Sequence, residues 1–282
     1  MSNSYKNLKH YAFSEHTTAF KVLTEVFREF SIHYFLIGAQ ARDVHFFQKG
    51  IKPNRGTRDI DFAVMMQDMT GYNELKEALN KKGFENTKDP FRLNWSLGET
   101  VIDLLPFGQI EENYTVNFDE RELELSVLGY SELNEELQEF YLDEDEAVSI
   151  PVPPLHGIFL LKLLSWDDTK PDRNKDLKDL NQILNNYWEF VEDEAYENHL
   201  NLFDDNFTTK IAAARILGRH LRSTIQKSPT LQTNIIRILE EQTNQVDPPG
   251  LMLQSFASEN DTSIEEVKIL LDEILKGIKD RQ

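Results

Sequence analysis

Two carboxylates inside an apolar run constrain this chain more than any other feature. Residues 55–66 read RGTRDIDFAVMM. The second half has the composition of a buried strand, yet it carries Asp59 and Asp61. A buried charge is costly unless it is paired or binds a cation. In a strand, residues i and i+2 point the same way, so the two acids share a face, with Cα atoms roughly 7 Å apart. Two readings account for them. Either they pair with Arg55 and Arg58 just upstream, or a cation sits between them. Mg²⁺ is the natural cation, a hard ion held by one or two carboxylates plus substrate phosphates. A second apolar strand, TVIDLLPFG (100–108), carries Asp103. If the two strands are neighbours, three carboxylates converge, a set that can hold two metals in the arrangement used for phosphoryl and nucleotidyl transfer. Asp143-Glu-Asp145 repeats the spacing in an acid-rich loop and is read as solvent-exposed.

The surroundings of these strands organise the chain. TTAFKVLTEVFREF (17–30) has helical spacing at Phe20, Leu23, Val26, Phe27 and Phe30. HYFLI (33–37) is a short strand that stops at Gly38-Ala39, and QARDVHFFQ then reads as a helix. GYNELKEALNKKG (71–83) is a helix ended by glycine. FRLNWSL (91–97) and RELELSVLGY (121–130) alternate like strands. IPVPP (150–154) is a proline-rich break, taken as the boundary between residues 1–150 and 151–282. Beyond it, LHGIFLLKLLSW, NKDLKDLNQILNNYW, FTTKIAAARILGRHLRSTI, LQTNIIRILEEQT and SIEEVKILLDEILKGI all have helical spacing. The expected fold class is α+β: a mixed sheet with flanking helices, followed by an all-helical region.

Composition excludes several chemistries. There is no cysteine, so disulfides, thiolate metal sites and a Cys nucleophile are absent. The seven histidines show no ligand spacing, and no zinc site is expected. The net charge of −19 argues against a broad electrostatic grip on nucleic acid. The acid-rich stretches 132–147 and 189–197 are read as solvated surface. The first residues have no apolar signal segment, and the longest apolar run is too short to span a membrane. A soluble, cytoplasmic protein with no membrane partner is expected.

Three more positions bear on the site. A strand turning through glycine into a helix offers backbone N–H groups to a phosphate, and Gly permits close approach. Gly38-Ala39 is read either as such a turn or as a plain strand–helix connection. No P-loop or dinucleotide-binding glycine pattern is present. Lys162, inside IFLLKLLSW, is either a snorkelling lysine or a phosphate ligand. Asp176 and Asp179 share a helix face, where Arg173 and Lys175 could pair with them. Arg42, Asp43 and His45 are assigned no role.

A strand ending in a glycine turn, then Asp-x-Asp on a strand, then a third Asp on a later strand resembles the nucleotidyltransferase pattern of the DNA polymerase β superfamily. FLIGAQARDVHF, RGTRDIDFAV, VIDLLPFG, FLLKLLSW with RNKDLKDL, and ARILGRHL are similar to bacterial nucleotidyltransferases related to AbiE-type toxins. The resemblance spans roughly residues 33–222. It implies a polymerase β-like catalytic domain at 1–150 and a helical C-terminal domain at 151–282. Asp59 and Asp61 would bind the metals, and Asp103 would be the third carboxylate, as metal ligand or general base. Gly38 and Ala39 would hold the triphosphate, although Gly-Ala departs from the usual Gly-Gly or Gly-Ser. Lys162, Asp176 and Asp179 would line the nucleotide site, and Arg58 is counted with them. The expected activity is Mg²⁺-dependent transfer, with Mn²⁺ as a substitute, of an NMP group from an NTP such as ATP to a hydroxyl of a tRNA, a protein or a small molecule. A toxin role with a cognate antitoxin goes with it. The alternative is a non-catalytic NTP-binding or toxin–antitoxin interaction module.

Overall fold

The computed structural model describes residues 17–53, 59–118, 122–141, 149–168, 174–205, 207–245 and 247–280. The chain divides into two compact units, residues 1–154 and 155–282.

The first unit is built on a five-stranded mixed sheet in the order β1-β2-β5-β4-β3. These strands are β1 (Tyr34–Ile37), β2 (Asp59–Met66), β3 (Phe84–Asn86), β4 (Arg92–Trp95) and β5 (Val101–Gly108). β2 and β5 run parallel; the other neighbours are antiparallel. Helix α1 (Thr17–Glu29) supplies the apolar stripe expected from its spacing, with Phe20, Leu23, Val26 and Phe27 all buried. Phe20, Phe27 and Tyr34 pack edge-on or tilted around Phe62 of β2. Phe30 lies beyond the helix end and is exposed.

Helix α2 (Gly38–Gln48) leaves β1 directly, and α3 (Met69–Lys81) follows β2. The N-terminus of α3 is capped by Asp68, whose carboxylate accepts from Gly71 N at 2.8 Å. Tyr72 of α3 donates its hydroxyl to Leu104 O at 2.9 Å, tying this helix to β5.

Two small hairpins complete the unit: β6 (Thr115–Phe118) with β7 (Leu123–Ser126), and β8 (Gln138–Tyr141) with β9 (Ser149–Val152). A short helix, α4 (Tyr130–Leu133), lies between them. The last hairpin revises two expectations. IPVPP is not simply a break: Ser149–Val152 pairs with Gln138–Tyr141. Part of the acid-rich stretch 132–147 is therefore strand, with Phe140 buried at 5.0 Å from the His45 ring. Pro151 is tolerated because a two-stranded ribbon leaves one edge of β9 outside the ladder. Asp143 and Asp145 lie outside the described residues.

The second unit is helical: α5 (Leu155–Asp168), α6 (Asn174–Asn186), α7 (Trp188–Asn198), α8 (Thr209–Ile225), α9 (Pro229–Asn244), α10 (Leu251–Asn260) and α11 (Ile264–Lys279), with a 3₁₀ turn at Leu200–Leu202. Thr208, Ser228 and Ser263 each accept from the backbone N–H three residues on, capping α8, α9 and α11. Helix α7 falls on the acid-rich stretch 189–197. It is exposed on one side, but Val191 and Ala195 are buried. α8 and α11 cross at Gly218 and Gly277. A Cβ on Gly218 would lie 2.1 Å from Ile274 O, and one on Gly277 would lie 2.2 Å from Arg215 O. Only glycine lets two backbones approach this closely. The crossing is flanked by Arg215 and Arg219, which both donate to Asp280, and by the Arg215–Glu273 pair. No helix among the described residues is long and apolar enough to cross a membrane.

Candidate active site

The sheet register assembles the acids. Asp61 of β2 is the Cα partner of Ile37 on one side and of Asp103 on the other; Asp103 is in turn the partner of Arg92 on β4. Partners across a sheet present their side chains to the same face. Asp59, Asp61, Asp103 and Arg92 therefore share a face, while Ile60, Phe62, Ile102 and Leu104 turn into the apolar core on the other. The strands bearing the acids are neighbours, as the three-carboxylate reading requires. Asp59 and Asp61 are partly buried and Asp103 is buried.

The turn after β1 meets this row. Gly38 has φ +73°, in the left-handed region, and a Cβ placed on it would lie 1.9 Å from Asp61 Oδ2. Two independent constraints thus require glycine: the backbone conformation and the carboxylate pressed against it. The N-terminus of α2 has no side-chain cap, so its first N–H groups have the character of an anion site. Ala39 is buried there. We expect Gly38→Ala to cost at least about 1–2 kcal/mol from the backbone conformation alone and to displace Asp61, lowering both melting temperature and activity. An alanine variant that melts and turns over like wild type would remove Gly38 from the site.

Asp103 has a partner that local sequence patterns do not reveal. Arg92 grips it with both arms: Nε donates to Oδ1 at 2.7 Å and Nη2 to Oδ2 at 2.8 Å. This hydrogen bond raises the guanidinium pKa further above its ordinary value, with the charges of Asp103, Asp59 and Asp89 adding to it against the opposing effect of burial. Burial, and then the charge of Asp103, push the Tyr72 hydroxyl well up as well. Arg55 and Arg58 lie outside the described residues.

Lys162, Asp176 and Asp179 form a cluster within the helical unit. Lys162 Nζ lies 2.8 Å from Asp176 Oδ1 and 2.8 Å from Asp179 Oδ2, and all three residues are buried. Burial alone would lower the lysine pKa; the charges of Asp179 and Asp176 outweigh it and raise the value. The lysine therefore does not snorkel: its ammonium is turned to two carboxylates of the next helix. Arg173 lies outside the described residues. Arg42 and Asp43 pair with each other in the first unit, buried, and His45 Nε2 is 2.8 Å from Pro153 O.

Among the described residues, the three side chains whose ligand atoms all lie within 4.8 Å of one another are Glu194, His199 and His220, rather than the three aspartates. Both histidines place Nε2 on Glu194 Oε1, at 3.0 and 2.8 Å. The His220 bond is the main reason the Glu194 carboxyl falls to about 2. Arg219 Nη1 lies 2.6 Å from His199 Nδ1. A guanidinium can only donate, so Nδ1 accepts and Nε2 of this histidine carries the proton. Tyr187 OH closes the chain on His220 Nδ1 at 2.8 Å. The arrangement is a hydrogen-bonded network whose Nε2 on His199 faces its partner as a donor. Histidine spacing in the sequence held no trace of it, because its members come from α7, the residue after α7, and α8.

The protein that carries these in-register carboxylates and this glycine turn is a nucleotidyltransferase by its family. The chain is a member of the family described as nucleotidyl transferase AbiEii toxin, type IV TA system, whose profile matches residues 45–256, about three quarters of its length. The matched span contains Asp59, Asp61, Arg92, Asp103, Lys162, Asp176 and Asp179. The chain is also similar to the solution structure of the antibiotic-resistance factor ANT(2'')-Ia, with 14% identity over 72% of this chain and 94% of that one and a TM-score of 0.36. A crystal structure of ANT(2'')-Ia in complex with adenylyl-2''-tobramycin gives 14% identity, 72% and 97% coverage and a TM-score of 0.36. An antigenic nucleotidyltransferase-like protein from Paracoccidioides brasiliensis gives 15%, 79%, 92% and 0.39. No curated protein sequence matches the chain.

Proposed function

We propose that the protein transfers an NMP group from an NTP to a hydroxyl acceptor and releases pyrophosphate, acting as a toxin held in check by a cognate antitoxin. The observation that carries this reading is the Asp61 carboxylate, in register with Asp103 and packed against Gly38 where any Cβ would collide with it. A bond forms between the acceptor oxygen and the α-phosphorus. The bridging bond to the β-phosphate breaks, and pyrophosphate leaves with the electron pair. The acceptor proton passes to a base, for which Asp103 is the candidate. The donor set fits a hard divalent cation: carboxylate oxygens alone, on one face of the sheet. Asp59 and Asp61 would hold Mg²⁺ or Mn²⁺, which when bound neutralises charge on the phosphoryl oxygens. Gly38 and Ala39 keep the backbone open to the triphosphate. The nucleotide-binding assignment of Arg58, Lys162, Asp176 and Asp179 rests on the family pattern.

The acceptor class is open among tRNA, protein and small molecules, and one experiment addresses both activity and acceptor. Purified protein is incubated with each α-labelled NTP and, separately, total RNA, protein extract and the small-molecule fraction of a lysate. We expect label from one NTP to enter one fraction, with pyrophosphate released in equal amount. Thorough chelation should stop transfer, and Mg²⁺ or Mn²⁺ should restore it. Undiminished transfer after chelation would remove the metal from the reading. Absence of turnover with every NTP and fraction would favour a binding module.

A further inference from the structure

The outer face of α7 carries apolar side chains that the packing of the helical unit does not account for. Trp188, Tyr196, Phe203 and Phe207 close a circuit of ring contacts. Tyr196 stacks on Phe203 at 5.0 Å and Phe203 on Phe207 at 4.6 Å, while Trp188 stands edge-on to Tyr196 at 6.2 Å and to Phe207 at 6.0 Å. The circuit fastens the connection after α7 back onto the helix, and this explains Trp188, Phe203 and Phe207, which are half-buried. It does not explain Tyr196, which is 55% exposed, or Leu200, four residues on and 67% exposed. The inner face of α7 is held by other groups. Val191 and Ala195 are buried, Glu194 bonds to both His199 and His220, and Tyr187 bonds to His220 Nδ1. Exposed apolar side chains grouped within a polar rim mark an interaction site.

The charge around the face selects its occupant. From Trp188 to Thr209 there is no Lys or Arg. Glu189, Glu192, Asp193, Glu197, Asp204 and Asp205 are exposed along this stretch. Glu192 lies one turn from both Trp188 and Tyr196, in the same row of the helix. Such a rim repels phosphate, which disfavours nucleic acid. A second copy related by a two-fold axis would set the acidic rim against itself, which disfavours a symmetric dimer. We propose that the outer face of α7, together with Leu200, docks a basic segment of another protein. An apolar side chain of that segment covers Tyr196 and Leu200, and its Arg or Lys side chains meet the acids of the rim. Arginine suits the face best, because a guanidinium can stack on the Tyr196 ring while it pairs with a carboxylate. The bonds of Glu194 and Tyr187 to His220 tie α7 to α8 before any partner arrives, so little ordering is left for binding. The inference is independent of the catalytic reading, since it uses no residue of the acidic row on the sheet.

The test is fluorescence anisotropy of a short dye-labelled peptide of Arg, Lys and Leu, titrated with the full chain at low and at physiological salt. Wild type should bind it, more weakly as salt rises. Tyr196→Ser combined with Leu200→Ser should bind at least about tenfold more weakly, the scale of losing a central apolar anchor. Leu200 makes none of the ring contacts, so Leu200→Ser alone serves should the double variant loosen the circuit. Glu192→Gln combined with Glu197→Gln should weaken binding and flatten its salt dependence. Glu74→Gln combined with Glu77→Gln makes the same charge change at exposed positions of α3 and should bind like wild type, which separates this face from the overall charge of −19. Failure of wild type to bind the peptide overturns the inference. So does unchanged affinity in the Leu200 variants, or a loss in the α3 control equal to that of the α7 pair. Equal affinity for the peptide with Glu in place of Arg and Lys, or for a single-stranded oligouridylate, overturns the assignment of a basic partner. A wild-type sedimentation mass of two chains that Leu200→Ser returns to one would give the face to a second copy instead.

Discussion

Asp61→Asn should transfer label at least about a thousandfold more slowly than wild type, a loss on the scale of removing a main charge-stabilising group, while melting no earlier. Asp61 is the residue on which the site turns: it lies between Ile37 and Asp103 in the sheet and presses its Oδ2 against Gly38. Asparagine preserves the shape of the side chain and so keeps the packing against Gly38. It removes the negative charge that a divalent cation needs, and it relieves repulsion from Asp59 and Asp103. A folded, inactive protein is the combination that the catalytic reading requires. Wild-type turnover would sink the assignment. An unfolded variant would show that Asp61 is held mainly as an ion-pair partner, and would return attention to Arg55 and Arg58. Growth provides a second readout: cells expressing wild type should stop dividing and cells expressing Asp61→Asn should not.

Lys162→Ala should destabilise the helical unit by about 3–5 kcal/mol, the usual cost of leaving buried charge uncompensated. Asp176 and Asp179 would face each other with no cation between them, in a setting where their side chains are almost fully enclosed. Lys162→Arg should retain part of the stability, since it keeps the charge but replaces a point with a planar fork. The pH dependence has a definite sign. The folded-state lysine pKa is raised above 10.5. Its contribution is therefore fully present below the unfolded value and is lost as pH rises through the folded one, so the loss appears only in alkaline melts. Denaturant titration beside nucleotide calorimetry separates the two roles this lysine could have. A stable Lys162→Ala protein whose NTP affinity falls ten- to a hundredfold, or about 1.5–3 kcal/mol, would make it a nucleotide ligand. An unstable one makes it a strut of the helical unit.

What could be read from the sequence was what depends on local pattern. Asp59 and Asp61 stood out because strand periodicity puts them on one face. Asp103 stood out because it interrupts a second apolar strand. Helices α1, α3, α5, α8, α9 and α11 followed from apolar spacing. Pairings across long separations were not legible. Arg92 looked like any polar residue of an alternating strand until the antiparallel register of β4 on β5 placed it beside Asp103. Asp176 and Asp179 were recognised as a pair, but their cation came from the preceding helix rather than from their own turn. β9 was hidden by Pro151, and Leu251–Asn260, a helix with little amphipathic contrast, drew no reading at all. Glu194, His199 and His220 lacked recognisable ligand spacing because they meet only through the packing of α7 on α8.

The glycine crossing of α8 and α11 carries a consequence for the order of events at the ribosome. Gly218 and Gly277 are far apart along the chain, and each is the cavity into which the other's backbone fits. Until α11 has been synthesised, α8 presents a bare backbone groove, and Arg215 and Arg219 wait for Glu273 and Asp280. The sheet bearing the acids lies in a unit that ends at Pro154, so its segments emerge long before that groove can be filled. N-terminal units tend to fold first during synthesis, and late-arriving contacts leave apolar surface exposed in the interim. The crossing of α8 and α11 can therefore close only after the strands that bear the acids have emerged.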